Sequence, residues 1–221
     1  MRSSKVRLSA ALILLAVVLS CCATTHPVDF KELRHAGELT PNTGLKKDHI
    51  PFVFSSGAPN WGRYHQVLLD QVELYHGADN QFGAMSNADK AELAAFMRAA
   101  FSDALKTRFV EGTASGPNAL RVHLVLTGAQ SSVPVIATVS KLLPVALLVN
   151  TVQTVRDKPA AFSGSVSYAV EIYDAASNKL LRAYVAEQYP QAENVLASFG
   201  TLDACKVGIA KGADDLLTQP L

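Results

Sequence analysis

The chain has 221 residues, a formal net charge of +1 and a hydrophobic content of 49%. Residues 1–20 hold three basic and no acidic side chains, so the remaining 201 residues carry a net charge of −2. A nearly neutral chain without a basic block argues against nucleic acid as a partner, because phosphate binding needs clustered Lys and Arg. The length suffices for one well-packed domain and is marginal for two.

The N-terminus has the parts of a secretory signal. Arg2, Lys5 and Arg7 form a basic start, an apolar run covers 8–19, and a cysteine follows at Cys21. The run is shorter than the roughly 20 residues that a membrane-spanning helix needs. Residues 18–21, Val-Leu-Ser-Cys, resemble the lipobox of bacterial lipoprotein precursors. We therefore predict a signal peptide over 1–20 and a lipid anchor on Cys21.

The other cysteines are interpreted separately. Cys22 is the weaker lipid site, since its cleavage site would have a cysteine where Ser, Gly or Ala is usual. The residue after Cys21 is not the Asp that retains enteric lipoproteins at the inner membrane, which favours the outer membrane, facing the periplasm. Cys205 is predicted to be a small buried residue, although an oxidising compartment also permits a disulfide with Cys22.

These observations divide the chain into three parts, of which the signal peptide over 1–20 is the first. Residues 21–51 are predicted to be a lipidated tether and an irregular, partly packed lead-in, because prolines and glycines interrupt every period there. Residues 52–221 are predicted to form a single α+β domain. Its first strand covers 64–75, where the apolar alternation slips and indicates a bulge near Asp70 and Gln71.

The clearest helix begins at Ser86 or Asn87, which can cap it, with Asp89 in its first turn. Apolar residues then recur at helical spacing from Leu93 to Phe109 and form one continuous face. A second helix is predicted over 201–217, and its stripe carries Gly208 and Gly212, which would allow close contact with a sheet.

Three more strands complete the prediction. Residues 120–127 alternate, with Leu120, Val122, Leu124 and Leu126 on one face and Arg121, His123 and Thr127 on the other. Residues 163–174 and 180–188 form a hairpin. We predict a mixed, mainly antiparallel four-stranded sheet with two amphipathic helices on one face, in the order β-α-β-β-β-α, and hence the α+β class.

A long insert, 133–149, is as apolar as the signal. Lys141 at its centre and prolines at 134 and 144 argue against a transmembrane helix. Two interpretations remain open. The insert is either a buried connection that completes the core, or a surface that meets lipid, an acyl ligand or a protein partner. For the second, the contact residues are Val135, Ile136, Leu142, Leu143, Leu147 and Leu148.

The sequence contains no catalytic constellation. It has no metal-binding pair of the HxH or HExxH type, no phosphate loop and no nucleophile elbow, so we predict no catalytic residues, no metal and no cofactor. His65 and His76 are predicted to be exposed at strand ends. Glu171 and Asp174 lie three apart on a strand and point to opposite faces, so they are a poor acid–base pair. Asp174 is expected to cap its turn.

Several stretches together resemble a known family. They are 63–74, the helix from Leu93 to Leu105, 120–124, and 165–174 followed by Leu180 and Leu181. With the lipobox in front, they resemble the uncharacterised bacterial lipoprotein family called domain of unknown function thirty-three thirteen, over roughly residues 52–217. The resemblance implies an envelope lipoprotein of unknown role and supplies no active-site residues.

The predicted function follows from the anchor and the absence of catalytic motifs. We expect a non-enzymatic, lipid-anchored envelope protein, bound to the membrane through its N-terminal lipid and acting as an adaptor or accessory of an envelope complex with a protein partner. The alternative is a carrier or sensor of a lipid or another apolar ligand. The sequence leaves the oligomeric state and the identity of the partner open.

Overall fold

The computed structural model describes residues 28–44, 49–113, 115–131, 164–189 and 202–218. The elements, in chain order, are β1 (Thr40–Pro41), β2 (Phe52–Ser55), β3 (Gln66–Leu69), β4 (Glu73–Leu74), α1 (Asn87–Lys106), β5 (Val110–Glu111), β6 (Ala119–Gln130), β7 (Ser165–Asp174), β8 (Leu180–Gln188) and α2 (Asp203–Thr218). Among the described residues, neither α1 nor α2 combines the length and the apolar character that a membrane-spanning helix needs.

All described strands belong to one mixed sheet. Its order is β1-β2-β8-β7-β6-β3-β5, and β4 also pairs with β6. The neighbours β1-β2, β2-β8, β8-β7 and β7-β6 are antiparallel pairs. β3 and β4 pair in parallel with β6, and β5 pairs in parallel with β3. The predicted class, the mainly antiparallel sheet and the two helices are confirmed. The prediction of four strands is wrong, because the sheet has eight.

The additional strands are short, which explains why periodicity did not reveal them. β1, β4 and β5 have two residues each, fewer than an alternating pattern needs. β2 has four residues, the shortest length at which such a pattern can be recognised. The predicted strand over 64–75 is divided into β3 and β4, both parallel to β6. The interruption lies between Leu69 and Glu73, where the bulge was expected.

Both helices pack on one face of the sheet and form the main core. The apolar residues of α1, including Leu93, Met97 and Phe101, are fully buried against alternate residues of β6 and β7. Ser86 caps α1, as expected, because its Oγ accepts a hydrogen bond from the Asp89 amide at 3.1 Å. The helix ends at Lys106, so Phe109 is buried outside it.

The glycines of α2 permit its close approach to the sheet. A Cβ on Gly208 would lie 2.9 Å from Val166 Cγ1, and a Cβ on Gly212 would overlap the Tyr168 hydroxyl group. Tyr168 is itself buried. The expected close helix–sheet contact is therefore present, and it fixes α2 over β7 and β8.

The other face of the sheet is covered by residues 28–39, which we call the strap. Phe30 is completely buried on this face, and Leu33 is nearly so. They pack against Tyr75, Val125 and other residues of β6, β7 and β8. Because Phe30 has a φ of 43°, an unfavourable backbone conformation for a bulky residue, its burial must offset local strain.

Candidate functional site

A row of polar side chains lies beneath the strap, on the central strands. In the register of β6 and β7, His123 is opposite Glu171, and Arg121 is opposite Tyr173. These residues alternate along each strand with the apolar residues that face the helices, so strand geometry places all four on the strap side. His123 and Glu171 are only 8% and 3% exposed, which is unusual for ionisable residues.

His123 is held between two carboxylates. Its Nε2 lies 3.2 Å from Glu73 Oε2 on β4. Its buried Nδ1 lies 3.4 Å from Asp70 Oδ2 without hydrogen-bond geometry, and no other described residue is a partner for that atom. Asp70 accepts a hydrogen bond from Arg121 Nε at 2.9 Å. The interruption between β3 and β4 thus brings two acidic residues to the edge of the polar row.

Glu171 accepts a hydrogen bond from the Tyr173 hydroxyl at 2.5 Å. Burial raises the pKa of Tyr173 well above its usual value, and the bond to Glu171 raises it further, while Arg34 of the strap lowers it. Tyr173 therefore remains a neutral donor. Its hydroxyl group orients the Glu171 carboxylate without compensating the negative charge.

A second tyrosine ties the strap to this region. The Tyr75 hydroxyl donates to Asp79 Oδ1 at 2.6 Å and accepts the Glu32 amide at 3.0 Å, and the Lys31 amide donates to Asp79 Oδ2 at 3.1 Å. Burial and the bond to Asp79 raise the pKa of Tyr75 to about 12. Burial alone would raise the pKa of Asp79, but the bonds from Tyr75 and Lys31 lower it. The strap is therefore held by polar as well as apolar contacts.

A cavity of about 290 Å³ lies between the strap and this polar row. It is lined by Glu32, Leu33, Arg34, Glu73, Tyr75, His123, Val125 and Glu171. Three carboxylates thus face one guanidinium and one imidazole, so the lining is acidic. No group of three or more His, Cys, Asp or Glu side chains in the described part of the chain is arranged to hold a metal ion. The cavity suits a small polar ligand with positive charge.

The predicted site residues are not among those that the structure describes. Cys21 and the six insert residues Val135, Ile136, Leu142, Leu143, Leu147 and Leu148 lie outside the described residues. The structure does describe the strands on either side of the segment 132–163, which contains the insert. Gln130 on β6 and Ser165 on β7 are register partners, and Cys205 Sγ donates to the carbonyl oxygens of both, at 3.2 and 3.4 Å.

Other sequence expectations can be compared with the described residues. Cys205 is fully buried, as predicted, and burial raises the pKa of its thiol to about 12. His65 and His76 are exposed. Asp174 caps its turn by accepting the Ser177 amide at 2.9 Å.

The sequence reasoning missed the polar cavity. It placed His123 on the face opposite the leucines, and it separated Glu171 from Asp174. Both statements agree with the structure, but the sheet face was not expected to be covered. The available signal was the pair of ionisable residues, His123 and Glu171, each of which has an apolar residue on both sides in the middle of its strand.

Comparison with known proteins decides the family. The family model described as "Protein of unknown function (DUF3313)" matches residues 33–216, more than half of the chain. The chain belongs to the DUF3313 family. The predicted family is confirmed, whereas its description as a lipoprotein family stays a prediction. The match begins within the strap and extends through the sheet and α1 into α2. No curated protein matches the chain.

Solved structures show only a distant likeness to this DUF3313 protein. A substituted form of the PelC dodecamer from Paraburkholderia phytofirmans has 8% identity and a TM-score of 0.40, over 74% of this chain and 95% of that one. A putative neuraminyllactose-binding hemagglutinin homolog from Helicobacter pylori has 10% identity and a TM-score of 0.32, over 82% and 88%. A DUF330 protein from Xanthomonas campestris has 7% identity and a TM-score of 0.33, over 72% and 85%. These values indicate a remote similarity of the backbone path and do not assign a function.

Proposed function

We propose that this DUF3313 protein is a lipid-anchored protein of the bacterial envelope that acts without catalysis, as an adaptor or accessory of an envelope complex. Cys21 carries the lipid, and the apolar insert 133–149 is the surface that binds the protein partner. The observation that carries this proposal is the coverage of the sheet by the helices and the strap, which leaves few large hydrophobic side chains exposed among the described residues.

The exposed side chains support this assignment. Among the described residues, the exposed large hydrophobic side chains are Val110, at 68%, and Val207, at 40%. Val110 lies on β5 and Val207 on α2, so they are on separate elements. Scattered single residues of this kind are normal on a soluble surface. The insert is then the part of the sequence with enough apolar residues for a docking surface.

The positions of the flanking residues also support the proposal. Ser131 and Gly164 flank the segment 132–163, and Tyr189 and Leu202 flank 190–201. Val166 pairs with Gln188, and Cys205 contacts Gln130 and Ser165. Both segments therefore join the domain at one end of the sheet, which we call the Gln130 end.

The tether limits how far the domain can lie from its anchor. Six residues separate Cys21 from Val28, and an extended chain over this distance spans at most about 25 Å. Several acyl chains on one residue give stable membrane attachment. The domain is thus expected to remain close to the membrane, where envelope partners are available.

The cavity composition does not fit an acyl-transfer enzyme. Its lining contains no Ser, Thr, Cys or Lys side chain, so it offers none of the common nucleophiles for an acyl-transfer mechanism. The lining is also polar, which does not suit an acyl chain. The described residues therefore give no support to the lipid-carrier alternative.

The anchor is tested with Cys21→Ala in cells. We expect the precursor to remain unprocessed and to lose incorporation of a labelled fatty acid, whereas the adjacent variant Cys22→Ala remains labelled and fractionates with the outer membrane. Normal labelling of Cys21→Ala would refute the anchoring scheme.

The partner surface is tested with a photo-reactive amino acid at Leu143 of the lipidated protein in intact cells. We expect one specific protein adduct, which is lost when Leu142→Asp and Leu147→Asp are combined. Ser140→Asp is the matched control, because it adds a carboxylate to the same segment without removing an apolar side chain. An adduct that survives the double substitution, or an adduct with lipid alone, would contradict the adaptor proposal.

A further inference from the structure

Glu171 is a buried carboxylate without a cationic partner. It is 3% exposed and lies on β7, in the interior of the sheet. Tyr173 gives it one hydrogen bond, and none of the ion pairs between described residues includes it. A buried ion is normally paired, because removing it from water costs several kcal/mol. Glu171 is therefore a buried carboxyl group with one neutral donor and a place for a cation beside it.

The neighbouring cationic side chains have other partners. Arg121 donates to Asp70 and to Asn178, and the His123 ring lies between Asp70 and Glu73. Arg34 belongs to the exposed surface of the strap and interacts with Tyr173. None of the three is within ion-pair distance of Glu171, although two of them line the same cavity.

We propose that the cavity between the strap and the sheet binds a small organic cation with a primary ammonium group, and that Glu171 is its principal acceptor. An ammonium group has three donors and no acceptor, and Glu73 and Glu32 supply further carboxylate oxygens at the cavity wall. The aromatic ring of Tyr75 lines the same space and is a favourable neighbour for a cation.

The size of the cavity limits the ligand. At about 290 Å³, it is at the lower end of the range for small-molecule sites, roughly 300–1,000 Å³. It accommodates an ammonium group on a short carbon chain. An ammonium ion also forms strong charge-assisted hydrogen bonds with carboxylates, which compensates the burial of Glu171. This site is independent of the proposed anchor and partner surface.

The experiment is calorimetric titration of the full-length protein in a non-ionic detergent with butylamine at neutral pH, where the amine is protonated. We expect saturable binding with one site per chain, and no binding of butanol, which has a similar shape without the charge. Glu171→Gln keeps an oxygen for the Tyr173 hydroxyl and removes the negative charge. It should weaken binding roughly 10- to 100-fold, as expected for the loss of a charge-assisted bond.

Two further variants keep the test decisive. Glu73→Gln alters a side chain that is 55% exposed and keeps an oxygen for His123, so we expect a small effect on stability together with weaker butylamine binding. Glu92→Gln is the control, since Glu92 is an exposed helix residue paired with Lys206 outside the cavity. Absence of saturable butylamine binding, equal binding of butanol, or unchanged affinity in both cavity variants would overturn the proposal.

The ammonium group can come from a free amine or from a lipid headgroup. Competition with a short-chain phosphatidylethanolamine distinguishes these sources, with the corresponding phosphatidylcholine as control. Displacement of butylamine by the ethanolamine lipid alone assigns the headgroup, and failure to displace it assigns a free amine. Displacement by both lipids to the same extent would contradict recognition of a primary ammonium.

Discussion

At the scale of single residues, two acidic side chains of one strand have opposite roles. Asp174, at the end of β7, accepts hydrogen bonds from Ser177, from the Tyr64 hydroxyl at 2.9 Å and from Arg63 at 2.7 Å. Glu171 has one neutral donor. The carboxylate of Asp174 is therefore compensated within the domain, whereas that of Glu171 is not. This difference gives Asp174 a structural role and supports the binding role proposed for Glu171.

Asp174 should stabilise the fold in a pH-dependent way. The Ser177 amide is the main reason that the pKa of Asp174 lies below its usual value, and Tyr64 and Arg63 lower it further. Because the folded pKa is depressed, this stabilisation is present above the unfolded pKa of about 3.9 and is lost as pH falls through the folded pKa. Asp174→Asn should cost about 1–3 kcal/mol at pH 7, and urea unfolding should show this difference shrinking below pH 4. A difference that is constant with pH would contradict the assignment.

Cys205 should be chemically inert in the folded protein. Its side chain is fully buried where α2 meets β6 and β7, and the pKa of its thiol is raised to about 12. Compared with an ordinary thiol, this lowers the thiolate fraction at pH 8 by roughly three powers of ten. Peptide-resolved mass spectrometry after iodoacetamide treatment should find Cys205 unmodified in buffer and modified in urea. Rapid modification in buffer would show that α2 opens locally.

At the scale of elements, the contact between α2 and the sheet depends on glycine. Gly208 and Gly212 each cost helix stability relative to alanine, by about 1 kcal/mol. Glycine is nevertheless needed at both positions, because Val166 and Tyr168 occupy the space that a Cβ would need. The sequence predicted this contact because both glycines fall on or beside the apolar stripe.

Gly212→Ala should destabilise the domain in spite of the better helix propensity of alanine. The added Cβ overlaps the buried Tyr168 hydroxyl group, and overpacking of this kind costs about 1–3 kcal/mol. Combining it with Tyr168→Phe removes the closest atom, so the double variant should lose less stability than the sum of the single variants. Chemical denaturation measures the three values.

Gly37→Ala is the control for this cycle, because no atom lies within 4 Å of a Cβ at that position. It should change the free energy of unfolding by no more than about 0.5 kcal/mol. Additivity of the Gly212 and Tyr168 substitutions would show that the steric contact has no energetic effect.

At the scale of the whole molecule, the strap converts a two-layer fold into one with both sheet faces covered. It also forms one wall of the polar cavity. The lead-in 21–51 was predicted from its prolines and glycines. It contains the strap, which packs on the sheet, and it also contains the strand β1. A segment without helical or strand periodicity contributes to the core because Phe30 and Leu33 fill the space above β6, β7 and β8.

Phe30→Ala should expose this second face. Phe30 is completely buried, and its ring meets the edge of Tyr75 with the ring centroids 5.3 Å apart. Its loss should cost about 3–5 kcal/mol and increase proteolysis within the strap. Phe30→Gly should be no worse than Phe30→Ala, because glycine tolerates the positive φ of this position. A much less stable glycine variant would indicate that the backbone strain has no energetic effect.

The sequence by itself determined the features that depend on local chemistry. Helical spacing gave both helices, alternation gave the long strands β6, β7 and β8, and side-chain oxygens predicted the Ser86 cap and the Asp174 turn. The signal motif and the insert also come from local composition, and they remain the basis of the proposed anchor and partner surface.

Only the tertiary structure decided which distant residues meet. The short strands β1, β2, β4 and β5 are held by pairing with neighbours far along the chain, and the strap is held by contacts that its own sequence does not encode as a period. His123 and Glu171 become cavity residues because the strap covers them and the interruption between β3 and β4 brings Glu73 beside them. Such contacts depend on long-range packing, which a periodicity of two or 3.6 residues does not report.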